Sequence, residues 1–176
     1  LHKGKQEIHM RAIAICFALT LITMAAAQQS AAQTSEPPMK TFASSADIQA
    51  LAAKAKAEHK PGQPTVPENI LALAPYNVNL EYRTAVGPSA LHKHEAELFY
   101  VLEGTGTIVI GGKLVNEMPV DAENLTGTAI EGGASRAVAK GDIIIVPENT
   151  PHWYSQVNGT LILMSFHVPR PVPAAH

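Results

Sequence analysis

The chain has 176 residues, 46% hydrophobic and 16% charged, enough apolar material for one domain with its own core. A formal charge of −2 offers no general attraction to nucleic acid or to an acidic membrane surface, and neither is expected as a partner. The single cysteine, Cys16, excludes a disulfide framework within the chain.

Residues 1–32 read as material removed on export. Met10-Arg11 opens a short basic region, and AIAICFALTLITMAAA (12–27) has the length and flanks of a secretory apolar region. Small residues follow, with A-x-A-like cleavage sites after Ala27 and Ala32. The run is slightly short of the roughly 18 apolar residues that support a membrane span. Residues 1–9 lie upstream of the candidate initiator Met10. The expectation is a periplasmic or secreted protein, free of the membrane once this segment is gone. Cys16 leaves with it, so stability must come from packing, with a metal or a homodimer as the available supplements.

An N-terminal arm is expected over 33–75. Residues 33–42 are polar, proline-bearing and expected to be disordered. In SSADIQALAAKAKAEH, Ser44 stands three residues before Asp47, an N-cap signature, and Ile48, Leu51, Ala52 and Ala55 share one helical face. This predicts one helix packed on a larger body. KPGQPTVPENI (60–70) carries three prolines and reads as a connector.

From residue 76 the pattern becomes β-like, with short runs of β-branched and aromatic residues punctuated by glycine. VNLEYRTAV alternates. TIVI-GG-KLV is a hairpin candidate, because Gly-Gly supplies the positive φ angles of two-residue turns. RAVAKGDIIIVP and TLILMSFHV supply further strands. Short strands without another helix predict a sandwich or barrel over 76–170, with 171–176 as a tail.

The chemistry concentrates in HKHEAELFYVLEG (92–104). On a strand, His92 and His94 would project from one face roughly 6–7 Å apart, close enough to converge on one ion. Taken alone, the pair reads as two surface histidines flanking Lys93. Downstream, GDIIIVPENTPHWYSQV sets a glycine before a buried-looking strand, a proline at its end, a Thr-Pro turn and then His152.

Together, GPSALHKHEAELFYVLEG and GDIIIVPENTPHWYSQ resemble the two motifs of the cupin superfamily, and the likeness spans roughly residues 77–168. The resemblance implies a mainly β fold, a double-stranded β-helix (jelly-roll) barrel, here preceded by an N-terminal helix. It implies that His92, His94, a glutamate and His152 point into the barrel and hold one divalent transition metal. Imidazoles with one carboxylate suit Fe, Mn, Ni, Cu or Zn, and four protein ligands leave an octahedral ion two open positions.

Four departures stand out. Four residues rather than five separate Gly87 from His92; Asn149 replaces a usual glycine, and Gln156 a usual asparagine. Only two residues, where three or four are usual, separate His94 from Glu97. Counting back six residues from Gly104 selects Glu97 over Glu95 as the carboxylate ligand, with a tightened turn at Glu95-Ala96.

Alternation then proposes the pocket. Tyr154 and Gln156 share the face of His152, while Phe99 and Val101 share that of Glu97; Trp153 points away. Tyr154 is expected either to orient substrate or donate a proton, or to be a hydrogen-bonded core residue. Arg136, the one arginine between the motifs, is either a partner for a substrate carboxylate or a solvated surface residue, and Arg83 and His167 carry the same alternative. The segment between Gly104 and Gly141, centred on NEMPVDAENLTG, is either a lid or an ordinary loop. The functional expectation is a metalloenzyme acting on a small organic molecule, as a dioxygenase or a Lewis-acid lyase or isomerase. The alternative is a protein whose metal anchors a sugar or organic acid without turnover. Metal and small molecule are the implied ligands, and a homodimer is compatible with both.

Overall fold

The computed structural model describes residues 39–170; the expected export segment and the tail fall outside them. No helix among the described residues is long and apolar enough to cross a membrane.

Helix α1 (Ser45–Glu58) begins where Ser44 Oγ accepts from Asp47 N at 3.2 Å and Asp47 Oδ2 accepts from Ser44 N at 2.8 Å. This reciprocal box satisfies backbone groups that the first turn leaves free. The bonds from Ser44 hold the Asp47 carboxyl below its ordinary range. Ala55 is fully buried, and Ile48, Leu51 and Ala52 pack beside it against Val66, Ile70, Val78, Leu80, Tyr82 and Ile162. Alanines at the contact let the helix lie close on the sheet. Lys54 adds a bond to the buried Glu68 carboxylate at 2.8 Å.

That sheet has five antiparallel strands in the order β1 (Thr65–Leu73), β2 (Tyr76–Arg83), β13 (Leu161–Pro169), β4 (Glu95–Glu103), β11 (Ile143–Val146). A second sheet of six runs β10 (Ala134–Ala139), β5 (Thr105–Ile110), β12 (His152–Val157), β3 (Ser89–His92), β8 (Asn124–Gly127), β7 (Met118–Pro119). Strands β6 (Lys113–Val115) and β9 (Ala129–Glu131) form a separate pair. Alternation along β2 and β13 gives the first sheet two apolar faces. Val78, Leu80, Tyr82 and Ile162 serve the helix, while Leu161 and Leu163 join Phe99, Val101, Ile108, Val138, Val146 and Tyr154 in the interior core. The result is the expected mainly β jelly-roll with an N-terminal helix.

Two sequence expectations are corrected here. The stretch that reads as a connector contains β1, so the first sheet begins at Thr65 rather than near residue 76. Pro67 argues against a strand in the sequence, yet β1 is an edge strand, where a missing N–H is tolerated. The Gly111-Gly112 step is not a hairpin turn either. Strand β5 pairs with β10, and β6 pairs with β9, so Gly111-Gly112 lies opposite Gly132-Gly133 in one long ribbon. All four have φ between 77° and 82°, and a Cβ on Gly112 would collide with the Glu131 carbonyl oxygen. The paired glycines bend the ribbon as it leaves the second sheet.

The polar centre of the Gly104–Gly141 segment is ordered as strands β7 and β8, with β8 between β3 and the edge strand β7. It brings Asn124 opposite His92.

Candidate metal centre

Four strands place the functional side chains. Strand β3 stops at His92, residues 93–94 form a bend, and β4 starts at Glu95. Along β4, Glu97, Phe99 and Val101 turn inward and are buried, as alternation predicts. Strand β12 opens with His152, opposite Ala90 of β3. The preceding turn is clamped to the first motif: Asn149, at φ 54°, donates its N–H to His92 O at 2.6 Å. Strand β13 sets His167 opposite Glu97 across the first sheet.

Glu97 is the hub. Its Oε2 lies 2.9 Å from His152 Nε2 and 3.2 Å from His92 Nε2, and its Oε1 lies 3.4 Å from His167 Nε2. The rings of His92 and His152 are 5.4 Å apart, and those of His92 and His167 are 5.1 Å apart.

The far side of each ring also meets an acceptor. His92 Nδ1 donates to Asn124 Oδ1 at 2.6 Å. The amide orientation is fixed, because Asn124 Nδ2 donates to the Asp121 carboxylate at 2.8 and 3.0 Å. His167 Nδ1 donates to Glu95 Oε2 at 3.0 Å. His152 Nδ1 faces Thr150 O at 3.5 Å. With Nδ1 committed as a donor, a neutral imidazole turns its Nε2 lone pair toward a buried carboxylate.

Such an arrangement needs a cation between the lone pairs and the carboxylate, either protons on the rings or a metal. Burial opposes the Glu97 charge, but donation from His152 and His92 and the nearby His152 and His167 charges override it. The carboxyl is held well below its usual range. Burial likewise opposes charge on His92, and the bonds to Glu97 and Asn124 outweigh it and raise that imidazole. The chemistry of this donor set fits a divalent transition metal. His92, Glu97 and His152 offer ligand atoms within 4.8 Å of one another, and so do His92, Glu95 and His167. The outer acceptors are the groups that ordinarily orient metal-binding imidazoles.

Not every expected residue arrives here. His94 does not join His92, because the strand ends between them and the i, i+2 relation is lost. It sits on the bend with its side chain 59% exposed, 3.3 Å from Glu123. The turn expected at Glu95-Ala96 thus lies earlier, at Lys93-His94, and Glu95 starts the strand and is half-buried rather than exposed.

Gln156 is also corrected. A β-bulge between Tyr154 and Gln156 breaks the alternation, and Gln156 is exposed, bonded to Asn158 and Thr107. Arg136 is exposed on the edge strand β10 beside Ile143–Ile145, in a different cleft.

Tyr154 is sealed in the core at 2% exposure, edge-on to Phe99, with Arg83 stacked 4.7 Å from its ring centre. Its hydroxyl has no partner among the described residues. Burial pushes the phenol upward, opposed by Arg83 and reinforced by the Glu81 and Glu97 charges, so it stays protonated. Phe99 packs under His152 with centroids 5.8 Å apart, supporting that ring rather than the pocket wall.

The pocket that opens onto the histidines has a volume of about 380 Å³. Asn77, Ala90, Glu95, Val120, Asn124 and Leu125 line it with His92 and His167. His167 is the site residue least visible in the sequence. The signal is present all the same: in TLILMSFHV, residues 161, 163, 165 and 167 alternate onto the face that buries Leu161, Leu163 and Ser165.

A profile of the cupin family matches residues 62–171, and the chain belongs to that family. Comparison with curated protein sequences gives no match. Among solved structures, TT1209 from Thermus thermophilus is similar with a TM-score of 0.49 at 16% identity, over 71% of this chain and 96% of that one. BH2720 from Bacillus halodurans follows at 0.48 and 16%, over 82% and 89%. KdgF from a Halomonas species reaches 0.46 and 14%, over 64% and 87%.

Proposed function

We propose that this chain is an exported, metal-dependent cupin enzyme that acts on a small oxygen-bearing organic molecule at the barrel mouth. The observation that carries this reading is the buried Glu97 carboxylate ringed by imidazole Nε2 atoms, beside an open pocket. A divalent ion held there would act as a Lewis acid on a substrate oxygen or, if redox-active, support dioxygenase chemistry.

The chain's own residues set the rest. Asn124 and Glu95 hold His92 and His167 in one tautomer, and Phe99 backs His152. The wall mixes the Asn77 amide and Glu95 carboxylate with Ala90, Val120 and Leu125, suiting a molecule with both polar and apolar edges. No lysine or arginine lines this pocket among the described residues, so an acidic substrate would find its positive charge at the metal. Export is supported by the basic and apolar pattern within residues 1–32.

A second reading, metal-anchored binding of a sugar or organic acid without turnover, is favoured by one observation. Tyr154, the expected proton donor, is walled off in the core. Metal analysis of the purified chain, followed by oxygen-uptake and product screens with phenols, diketones, organic acids and sugars, tests both. Iron with oxygen uptake supports a dioxygenase, and product without uptake supports a lyase or isomerase. Saturable binding without product supports the binder. Absence of bound metal under every loading condition overturns both readings.

A further inference from the structure

We infer that His167 is the fourth protein ligand of this centre, in the place the HxH spacing would give to His94, and that Glu95 is the carboxylate that orients it. The inference rests on the reading of the site as a metal centre.

The shortened gap explains the exchange. Glu97 must face inward to reach His92 and His152, and β4 must therefore be extended from Glu95 onward. Two residues, Lys93 and His94, are then left to turn the chain between β3 and β4. His94 is spent on the bend. Its carbonyl accepts from Arg170 N at 2.8 Å, and the neighbouring Lys93 N donates to Glu123 O at 2.9 Å, so the bend is fastened on both sides. Re-aiming the backbone at His94 to direct its side chain inward would mean breaking these bonds.

His167 has the opposite situation. It lies on a nine-residue strand, opposite Glu97 and next to Asn77 of β2, on the same face as the buried Leu163 and Ser165. Its Nε2 is 3.4 Å from Glu97 Oε1, whereas His92 and His152 are closest to Oε2. Glu95 Oε2 takes the Nδ1 proton at 3.0 Å, which leaves the lone pair on Nε2, the atom aimed at the centre. Glu95 thus serves His167 as Asn124 serves His92.

The test uses the full chain labelled with ¹⁵N-histidine and Zn(II) as the probe. In the wild type, Zn(II) should shift the ring-nitrogen signals of three histidines, and His94→Gln should keep all three with unchanged affinity. His167→Gln should shift two and bind Zn(II) at least about tenfold more weakly. Glu95→Gln should keep three shifted rings while losing roughly tenfold in affinity, the usual cost of losing an orienting partner. Loss of one shifted ring in His94→Gln overturns the assignment, and so does a wild type in which two rings respond. The wild type and His94→Gln decide the matter even if His167→Gln fails to fold. A wild type that binds no Zn(II) removes the metal-centre reading itself, an outcome distinct from binding that depends on His94.

Discussion

Changing Glu97 to glutamine removes one charge and keeps the shape, at a position 4% exposed and within 3.4 Å of three imidazole nitrogens. At a separation of about 3 Å and an effective dielectric near 20, a unit charge pair is worth roughly 5 kcal/mol. The amide oxygen and local water recover part of that; taking half leaves about 2.5 kcal/mol. Metal affinity should therefore fall by roughly 50- to 100-fold. Glu95→Gln, at a half-exposed carboxylate that acts through His167, should lose only about tenfold. Calorimetric titration of Zn(II) or Ni(II) into the metal-free variants, with a competing chelator for the tight cases, measures the pair directly. A larger loss in Glu95→Gln than in Glu97→Gln would refute the assignment of Glu97 as the central carboxylate.

Other residues give separate checks. Tyr154→Phe removes a buried hydroxyl that has no partner among the described residues, so its melting temperature should be unchanged or slightly higher; a loss above about 1 kcal/mol in urea unfolding would contradict this. Its phenol is pushed upward and stays neutral, so the absorbance titrations of the wild type and Tyr154→Phe should coincide through the ordinary phenol range near pH 10. Extra ionisation in the wild type there would be contrary evidence. Phe99→Ala should cost about 3–5 kcal/mol by urea unfolding, because the ring is fully packed against His152 and Tyr154; a cost below about 1 kcal/mol would show a looser core. Asn124→Ala should weaken metal binding by about 10- to 100-fold while leaving the far-UV spectrum intact, since it frees His92 Nδ1; unchanged affinity would remove Asn124 from the orienting set.

Much of this is readable from the sequence where one regular rule governs a stretch. Alternation along ELFYVLE places Glu97, Phe99 and Val101 together, and Ser44 with Asp47 marks the start of the helix. Asn149, standing where the second motif usually has glycine, adopts the left-handed conformation that asparagine tolerates. Gly104, at φ 87°, has the Thr160 carbonyl oxygen where a Cβ would stand, so the glycine that anchors the count back to Glu97 is required by close packing.

The errors fall where regularity breaks. His94 is lost to a strand end, and Gln156 to a bulge, and neither interruption has a signature stronger than a missing residue in a spacing. Arg136 stands out in the sequence only by being alone between two motifs, which says nothing about which cleft an edge strand faces. The Gly111-Gly112 pair looks like a hairpin turn because positive φ serves a turn and a bent ribbon equally. His167 lies on a legible inward face, but a histidine near the end of an apolar strand carries no spacing to another ligand. Its partner Glu97 is known only once β13 pairs with β4.

Three strand-borne imidazoles and Glu97 that bind one metal should stabilise the fold through it. Metal content and thermal unfolding of wild type and His152→Ala, each with and without chelator, measure this directly. At a hundredfold excess of metal over Kd, binding adds about 2.7 kcal/mol, which corresponds to a shift of several degrees for a domain of this size. The expected result is about one divalent ion per wild-type chain, a drop of that size on chelation, and almost no chelator effect on His152→Ala. Equal chelator effects on the two proteins, or a wild type that retains no metal, would contradict it.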